Sequence, residues 1–323
     1  MATQYRKDSD AAMMRRIYNF LRAILPIRKA GDLINLENIS EQINDYKEFK
    51  PSNFKINTPP ICTNLFLNAI DTSNVGDINS TPFDYFTFPG ESQTADFWSR
   101  VNASEDRFDN IFVGGGVFSK NYVRTPMYYE RLRPKKNLVL WGVGTDMPGY
   151  PPMPKDFIDR CSLIGTRDFG AASLDGDKVV FCPCASAMNR AFDVSRQSPI
   201  HEFVLFLHHN RSVDDDDFFK HRPTMRNYGD FTETIDFIAS GEVVVTNSYH
   251  GLYWATLLGK KVICLIKGGK FAYFKWKPAF ATPETCRQIL ARAHDISAYP
   301  NALAEARALN MNFYEKVLAI LRS

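Results

Sequence analysis

The sequence lacks long hydrophobic runs, a large net charge and any regular spacing of cysteines. No apolar stretch approaches the roughly 20 residues that a membrane-spanning helix needs, and we expect neither such a helix nor a secretory signal sequence. The formal net charge of +3 over 323 residues is too small to indicate nucleic acid as a partner. Hydrophobic residues make up 45% of the chain, as in soluble globular proteins. These properties favour a cytoplasmic protein long enough for two domains.

The six cysteines are scattered along the chain. Such a distribution is typical of reduced, buried thiols inside a cell and excludes a disulfide-dense secreted scaffold. Cys182 and Cys184 form the one close pair, but a single intervening residue does not match the usual zinc motifs, and no second pair completes it. We therefore predict no metal site.

Residues 241–267 have the pattern of a strand, a turn, a helix and a second strand. Residues 243–246 and 262–266 are short β-branched or apolar runs, typical of buried parallel strands. The turn between the first strand and the helix, residues 247–251, then lies at a strand's carboxyl end and a helix's amino end. Open α/β sheets bind ligands at that position. We expect His250 to be accessible there and to transfer protons near neutral pH.

Several short apolar segments in the first half of the chain end in glycine-rich or polar turns. Residues 111–113 run into three glycines, whose N–H groups are suited to an anion or a sugar hydroxyl. Residues 137–141, 162–165 and 178–181 follow the same pattern. An earlier apolar run, residues 61–69, precedes a polar turn that we interpret as leading to a helix or loop near Ser80. Such a series is typical of a doubly wound parallel sheet.

A polar break at residues 190–199 separates this series from a second one. The second series begins with a strand at residues 201–207, which is followed by His208, His209 and Asn210. We therefore predict an α/β protein with two Rossmann-like domains facing across a cleft, the GT-B type of architecture. Residues 1–195 would form the acceptor side, and residues 196–323 the donor side. Whether the C-terminal helix crosses back to the first domain stays open.

Residues 10–25 combine an apolar stripe at helical spacing with flanking arginines. One interpretation is a helix that lies on the anionic inner face of a membrane, which would make the protein peripheral there. The alternative is an amphipathic helix that covers its own domain.

Five motifs occur in one order between about residues 70 and 280, and together they resemble the polysaccharide pyruvyl transferase family. They are Asn74-Val-Gly-Asp77, Gly114-Gly115-Gly116, Gly142-Val-Gly144, Thr166-Arg167-Asp168 and Ser248-Tyr-His-Gly251. The family's last turn often carries an arginine two residues before the histidine, where this chain has Ser248. The resemblance implies that Arg167, Lys270 or Arg211 takes over that arginine's role.

The resemblance also implies a reaction. The enolpyruvyl group of phosphoenolpyruvate would pass to two hydroxyls of a sugar and form a ketal, in an exopolysaccharide, a capsule or a lipid-linked precursor. This chemistry needs an acid, a base and cations for a carboxylate and a phosphate. It implies catalytic roles for His250 and Asp77, no cofactor and no metal. The substrate-binding residues would be Arg167, Asn74, Gly76, Gly115, Gly116, Ser248, Tyr249, Gly251, His208, His209, Asn210 and Lys270.

Two expectations concern charge at this site. We expect Arg167, Lys270 and the backbone N–H groups after His250 to hold the donor's anionic groups. We also expect the helix dipole to favour the neutral imidazole of His250 and the bound donor to raise its pKa.

Two other functions stay open. A GT-B glycosyltransferase using a nucleotide sugar would share the architecture, but no acidic residue is convincingly placed for a ribose. A catalytically silent saccharide-binding homologue is the other alternative, and Ser248 is the residue that suggests it.

Overall fold

The structure, a computed structural model, describes residues 63–70, 72–97, 108–116, 132–144, 154–170, 178–194, 198–209, 213 and 217–323. The predictions for residues 10–25 and for Asn210 lie outside these ranges. All described residues belong to one compact unit, Ser52–Ser323.

The described strands form two separate sheets, and every strand pairing within them is parallel. The first sheet has the order β2-β1-β3-β4-β5-β6 and the second β11-β10-β9-β7-β8. Their bounds are β1 Asn64–Asn68, β2 Ser92–Asp96, β3 Asn110–Gly114, β4 Asn137–Val143, β5 Leu163–Thr166, β6 Val179–Phe181, β7 His201–Leu207, β8 Thr224–Arg226, β9 Gly241–Thr246, β10 Lys261–Cys264 and β11 Ala279–Phe280.

Helices pack on these sheets. They are α1 Val75–Ile78, α2 Lys155–Arg160, α3 Phe231–Ala239, α4 Tyr249–Leu257, α5 Pro283–Leu290 and α6 Ala302–Arg322. Short 3₁₀ turns lie at Pro82–Asp84, Ala185–Met188, Arg190–Asp193, Gly269–Phe271 and Ala293–Asp295. Every residue of α4 is buried. A helix that is apolar on all sides is stable only when it is enclosed, and α4 contacts α3, α6, β9 and β10.

The predicted fold class is confirmed, because the structure consists of two parallel α/β sheets of the GT-B type. The chain leaves the first sheet at Phe181 and enters the second at His201. The domain boundary at residue 195 stays a prediction. The described part of the chain contains no helix long and apolar enough to cross a membrane.

The C-terminal helix α6 contacts the first sheet. The indole Nε1 of Trp141 on β4 donates a hydrogen bond of 2.8 Å to Oδ1 of Asn310, and both residues are fully buried. The ring of Phe313 meets the Trp141 ring edge-on with 4.7 Å between centroids. Burying one such side chain contributes about 1.5–3 kcal/mol. Helix α6 therefore anchors the end of the chain on the first sheet.

The loops after β1, β3, β4 and β5 lie at the carboxyl edge of the first sheet, because parallel strands end on the same side. The loops after β7 and β9 lie at the carboxyl edge of the second sheet for the same reason. The five motifs on which the family resemblance rests belong to these two edges.

Candidate active site

The turn after β1 and the start of helix α4 meet at His250. A side-chain carbon built on Gly76 would lie 2.0 Å from Nδ1 of His250, so only glycine fits against the imidazole there. The backbone N–H of Val75 donates to the carbonyl of Asn227, after β8, at 3.0 Å. The two sheets thus bring motifs from opposite halves of the chain into direct contact.

The turn after β1 is itself one turn of helix, which the sequence interpretation did not include. The predicted helix or loop near Ser80 is a turn that leads into the 3₁₀ turn Pro82–Asp84. Asn74 caps it, because Oδ1 of Asn74 accepts the N–H of Gly76 at 3.0 Å, while Nδ2 donates to Oδ2 of Asp77 at 2.8 Å. Ser80 Oγ and Asn68 Nδ2 donate to the backbone carbonyl of Asp77 at 2.7 and 3.2 Å. These bonds fix the backbone of Asp77 and leave the residue partly exposed.

Helix α4 begins at Tyr249, so His250 lies in its first turn and not in the loop before it. Ser248 is the N-cap: its Oγ accepts the N–H of Gly251 at 3.4 Å, and its carbonyl accepts the N–H of Leu252 at 3.0 Å. The prediction that the N–H groups after His250 hold a donor is therefore wrong for these two, which the cap occupies. The hydroxyl at position 248 has a clear structural role.

His250 is only 5% exposed, which corrects the expectation of an accessible histidine. The Trp254 ring lies beside it, with centroids 5.2 Å apart and an angle of 31° between the planes. Its Nε2 is 3.7 Å from Sγ of Cys184, and its Nδ1 faces Gly76. The two ring nitrogens thus have different surroundings.

Arg167, after β5, is 2% exposed. Its guanidinium carbon lies 3.9 Å from the centre of the Tyr249 ring, an attractive cation–π arrangement. Gly144 makes room for it, since a side-chain carbon there would lie 3.3 Å from Nε. Nε and Nη1 of Arg167 have no hydrogen-bond partner among the described residues. Leaving buried charged donors unsatisfied is costly, so this guanidinium is suited to an anionic ligand.

Lys270 brings a second positive charge to Tyr249. It lies on the 3₁₀ turn Gly269–Phe271, and its Nζ is 5.6 Å from the centre of the Tyr249 ring. A ligand anion bound by both cations would lie near Tyr249, the residue that precedes His250 in helix α4.

His208 and His209 follow β7 at the carboxyl edge of the second sheet. Their rings stack with centroids 4.4 Å apart. The backbone N–H of His208 donates to Oδ1 of Asn247, and that of His209 to Oδ1 of Asn227, both at 2.7 Å. The ring Nδ1 of His209 is also 2.9 Å from that Asn227 oxygen. Both histidines are partly buried and held in place beside the α1 turn.

The glycines at the end of β3 are explained first by packing. Gly115 and Gly116 have φ angles of 65° and 70°, the left-handed region that glycine adopts freely. A side-chain carbon on Gly115 would lie 2.0 Å from Oγ of Ser80. The N–H of Gly115 donates to the carbonyl of Trp141, and the carbonyl of Gly116 accepts the N–H of Gly144, both at 3.2 Å. This turn thereby supports the α1 segment and the Arg167 loop.

The electrostatics of the site follow from burial and two cations. Burial holds the pKa of His250 well below its usual value, and the charges of Arg167, Lys270 and His208 lower that pKa further. The expected direction is confirmed, although burial and not the helix dipole is the main cause. Burial raises the pKa of Asp77, while Lys270, Arg167 and His209 oppose that increase.

The sequence interpretation did not include Cys184 and Asn227 in the site. Cys184 follows β6, so its place at the carboxyl edge of the first sheet was a usable signal. Asn227 follows the short polar strand β8, which carries no recognisable strand pattern. Among the described residues, no group of three or more His, Cys, Asp or Glu side chains is arranged to hold a metal ion.

The sequence matches the family model for polysaccharide pyruvyl transferase over residues 10–266. The chain therefore belongs to the polysaccharide pyruvyl transferase family, a class of transferases of polysaccharide biosynthesis. No protein of curated function matches the sequence significantly.

Solved structures resemble the chain at low identity. A functionally uncharacterised protein from Klebsiella pneumoniae is 15% identical, with a TM-score of 0.39 over 63% of this chain and 82% of its own. The UDP-GlcNAc 2-epimerase of Methanocaldococcus jannaschii, in complex with UDP-GlcNAc and UDP, is 9% identical, with a TM-score of 0.48 over 78% and 99%. The wall teichoic acid polymerase TagF is 10% identical, with a TM-score of 0.39 over 88% and 91%. Similarities this distant say nothing about substrate.

Proposed function

We propose that this chain transfers the enolpyruvyl group of phosphoenolpyruvate onto two hydroxyls of a saccharide, forming a ketal. The observation that carries this proposal is the buried guanidinium of Arg167, held against Tyr249, the residue before His250. Its Nε and Nη1 have no hydrogen-bond partner among the described residues. The donor's two anionic groups, a carboxylate and a phosphate, match this environment.

Arg167 binds one of these groups. A planar guanidinium forms two parallel hydrogen bonds to a carboxylate or a phosphate, which fixes orientation as well as affinity. The stacking on Tyr249 holds the guanidinium plane in place before the donor arrives. Lys270, whose Nζ also lies near the Tyr249 ring, neutralises the second anionic group.

His250 is the acid that protonates the donor's methylene carbon. In the free enzyme its pKa is low, in part because Arg167 and Lys270 are positively charged. A bound anion compensates those two charges and raises the pKa of His250. The imidazolium therefore forms when the donor is in place, and positive charge then develops on the carbon that the sugar attacks.

Asp77 accepts a proton from the attacking hydroxyl. It lies next to Gly76, which contacts His250, and its partial exposure leaves room for a sugar. The raised pKa makes its carboxylate a stronger base than an ordinary one. Of the two hydroxyl protons lost in the whole reaction, one replaces the proton given to carbon and the other leaves with phosphate.

The acceptor in this proposal is a sugar of a surface polysaccharide or of its lipid-linked precursor. Residues 10–25, with their arginine-edged apolar stripe, would hold the enzyme at the inner membrane face. Deleting residues 1–28 should abolish binding to anionic liposomes. Unchanged liposome binding would instead favour the alternative in which this segment covers its own domain.

The central test supplies radiolabelled phosphoenolpyruvate or radiolabelled UDP-sugars, each with a pool of lipid-linked saccharides. We expect label from phosphoenolpyruvate to enter the saccharide as an acid-labile ketal, with one phosphate released per group transferred. Transfer from a UDP-sugar alone would identify a glycosyltransferase. Saccharide binding without transfer from either donor would identify a silent homologue, and both results would contradict the proposal.

A further inference from the structure

A chain of buried polar side chains runs from His250 into the protein. Nε1 of Trp254 donates to Oγ of Ser186 at 3.1 Å, and this hydroxyl donates to Sγ of Cys184 at 3.3 Å. The sulfur lies 3.7 Å from Nε2 of His250. Trp254, Ser186 and Cys184 are each at most 1% exposed. The donor-binding site proposed above does not use this chain.

The direction of the chain follows from its first member. An indole N–H can only donate, so the hydroxyl of Ser186 accepts from Trp254 and turns its own hydrogen toward Cys184. The sulfur accepts this hydrogen bond, and its own S–H is then available to Nε2 of His250, 3.7 Å away. Burial raises the pKa of the Cys184 thiol, which keeps that hydrogen on the sulfur.

We propose that Cys184 is a positioning residue that holds neutral His250 in the Nδ1–H tautomer and so directs the Nδ1 proton toward the donor. The imidazolium formed on donor binding then carries its second proton at Nε2 and delivers the one at Nδ1. In a neutral histidine, the hydrogen bond at one ring nitrogen decides which of the two nitrogens carries the proton. Nδ1 faces Gly76, the residue that precedes Asp77 in α1. The catalytic half of this inference rests on the proposed function, whereas the tautomer does not.

The inference also separates the two cysteines of the Cys182-Pro-Cys184 motif. Cys182 is fully buried, and its sulfur lies 3.7 Å from Oδ1 of Asn310 on α6. In the described part of the chain, Cys184 is the member of the pair whose sulfur contacts His250. Cys182→Ala is therefore the matched control: it removes a buried thiol from the same turn without changing the partner of Nε2.

The tautomer can be read without any substrate. Long-range ¹H–¹⁵N correlation spectra of protein labelled at histidine distinguish a protonated ring nitrogen from a bare one, and His250→Asn assigns the signal among the six histidines. We expect a protonated Nδ1 in the wild type and in the Cys182→Ala variant. Cys184→Ala should shift the signal to the Nε2–H form. An Nε2–H wild type, or a Cys184→Ala spectrum identical to it, would overturn the inference.

A second variant keeps the test decisive where Cys184→Ala does not fold. Cys184→Val fills the volume of the thiol without supplying a donor, and it should give the same shift to Nε2–H. In turnover assays both variants should lower kcat about 10-fold or more while the donor KM changes little, because proton transfer and not binding is affected. Cys182→Ala should retain both constants.

The two proposals fail separately. A protein that shows the expected tautomers but never turns over phosphoenolpyruvate would refute the proposed function and leave the positioning role of Cys184 intact. A protein that turns over phosphoenolpyruvate with His250 in the Nε2–H form would do the reverse.

Discussion

Strands β1 and β9 each lead into a helix with a polar N-cap, yet the two junctions place acid–base groups in different surroundings. Asn74 caps a helix of four residues and keeps Asp77 partly exposed. Ser248 caps a helix of nine residues that is buried throughout, and His250 is enclosed with it. One junction places a carboxyl group on a partly exposed residue, and the other holds an imidazole in a helix that is buried throughout.

The difference shows how one pair of cations can serve both groups. Burial favours the neutral form of each, which raises the pKa of Asp77 and lowers that of His250. Arg167 and Lys270 add to the effect of burial at His250 and oppose it at Asp77. The same positive charges therefore favour an ionised carboxylate and a neutral imidazole until an anion binds, a division of roles set by environment.

The largest expected effect comes from removing the imidazole. His250→Asn keeps a polar side chain of similar size but cannot transfer a proton. Because losing a positioned general acid typically costs about 10²–10⁴-fold in rate, we expect kcat to fall into that range while donor binding is largely retained. Steady-state kinetics and donor titration measure the two quantities.

The control for this variant is His294→Asn. His294 lies on the exposed 3₁₀ turn Ala293–Asp295, with its Nε2 3.3 Å from Oδ1 of the neighbouring Asp295. Its replacement should leave kcat unchanged. Near-normal turnover in folded His250→Asn would refute the acid–base assignment and make His208 and His209 the next candidates.

Arg167→Ala removes the cation that both junctions share. Hydrogen bonds to a charged group contribute about 1.5–3 kcal/mol each, so the donor KM should rise about 10–100-fold and the acceptor KM much less. Arg222→Ala is the matched control, because Arg222 also stacks on an aromatic ring, 4.9 Å from the centre of Phe203, but precedes β8. Equal increases in the two KM values for Arg167→Ala would contradict donor binding by this residue.

Gly76→Ala tests the contact between the junctions. The added carbon would lie 2.0 Å from Nδ1 of His250, so the imidazole or the α1 turn has to move. Overpacking of this kind typically destabilises a protein by about 1–3 kcal/mol, which urea unfolding measures. The control is Gly268→Ala, where φ is −131° and the added carbon would have no neighbouring atom within 4 Å. This variant should leave stability nearly unchanged. Equal stability of the two variants would mean that the junctions do not press on each other.

The centre of each sheet and the edge strand β6 were predictable from sequence, whereas the edge strands β2 and β8 were not. β3, β4, β7 and β9 are apolar runs that end in turns, and such runs have a recognisable pattern. The edge strand β2 reads Ser-Gln-Thr-Ala-Asp, and the edge strand β8 reads Thr-Met-Arg. Strands that are only partly buried need no apolar pattern, so their pairing is decided by neighbours that the sequence does not reveal.

The residues of the candidate site were predictable as motifs, but their environment was not. The order of the turns brought Asp77, Arg167 and His250 into one hypothesis, because parallel strands gather their carboxyl-end loops. The burial of His250 depends on two distant segments of the chain. Gly76 lies against Nδ1 of the ring, and Cys184 lies against Nε2. Contacts between distant segments of this kind have no periodic signature in the chain.

The smallest expected effect is on the pH dependence of stability. It concerns only the buried junction between β9 and α4, where His250 lies. The folded-state pKa of His250 lies below the unfolded value of about 6.5, so below that pH the unfolded chain binds a proton that the folded protein does not. Burial of neutral His250 therefore stabilises the protein fully above pH 6.5, and this contribution is lost as the pH falls. The slope reaches at most about 1.4 kcal/mol per pH unit.

Asp77 contributes with the opposite sign, since its raised pKa makes the folded state bind more protons as the pH rises through the unfolded value. Subtracting the urea-unfolding profile of His250→Asn from that of the wild type cancels the contribution of Asp77, which both proteins retain. The difference should fall steadily between pH 6.5 and pH 5. A flat difference over that range would mean that His250 titrates in the folded protein as it does in water, and the contrast between the two junctions would then be lost.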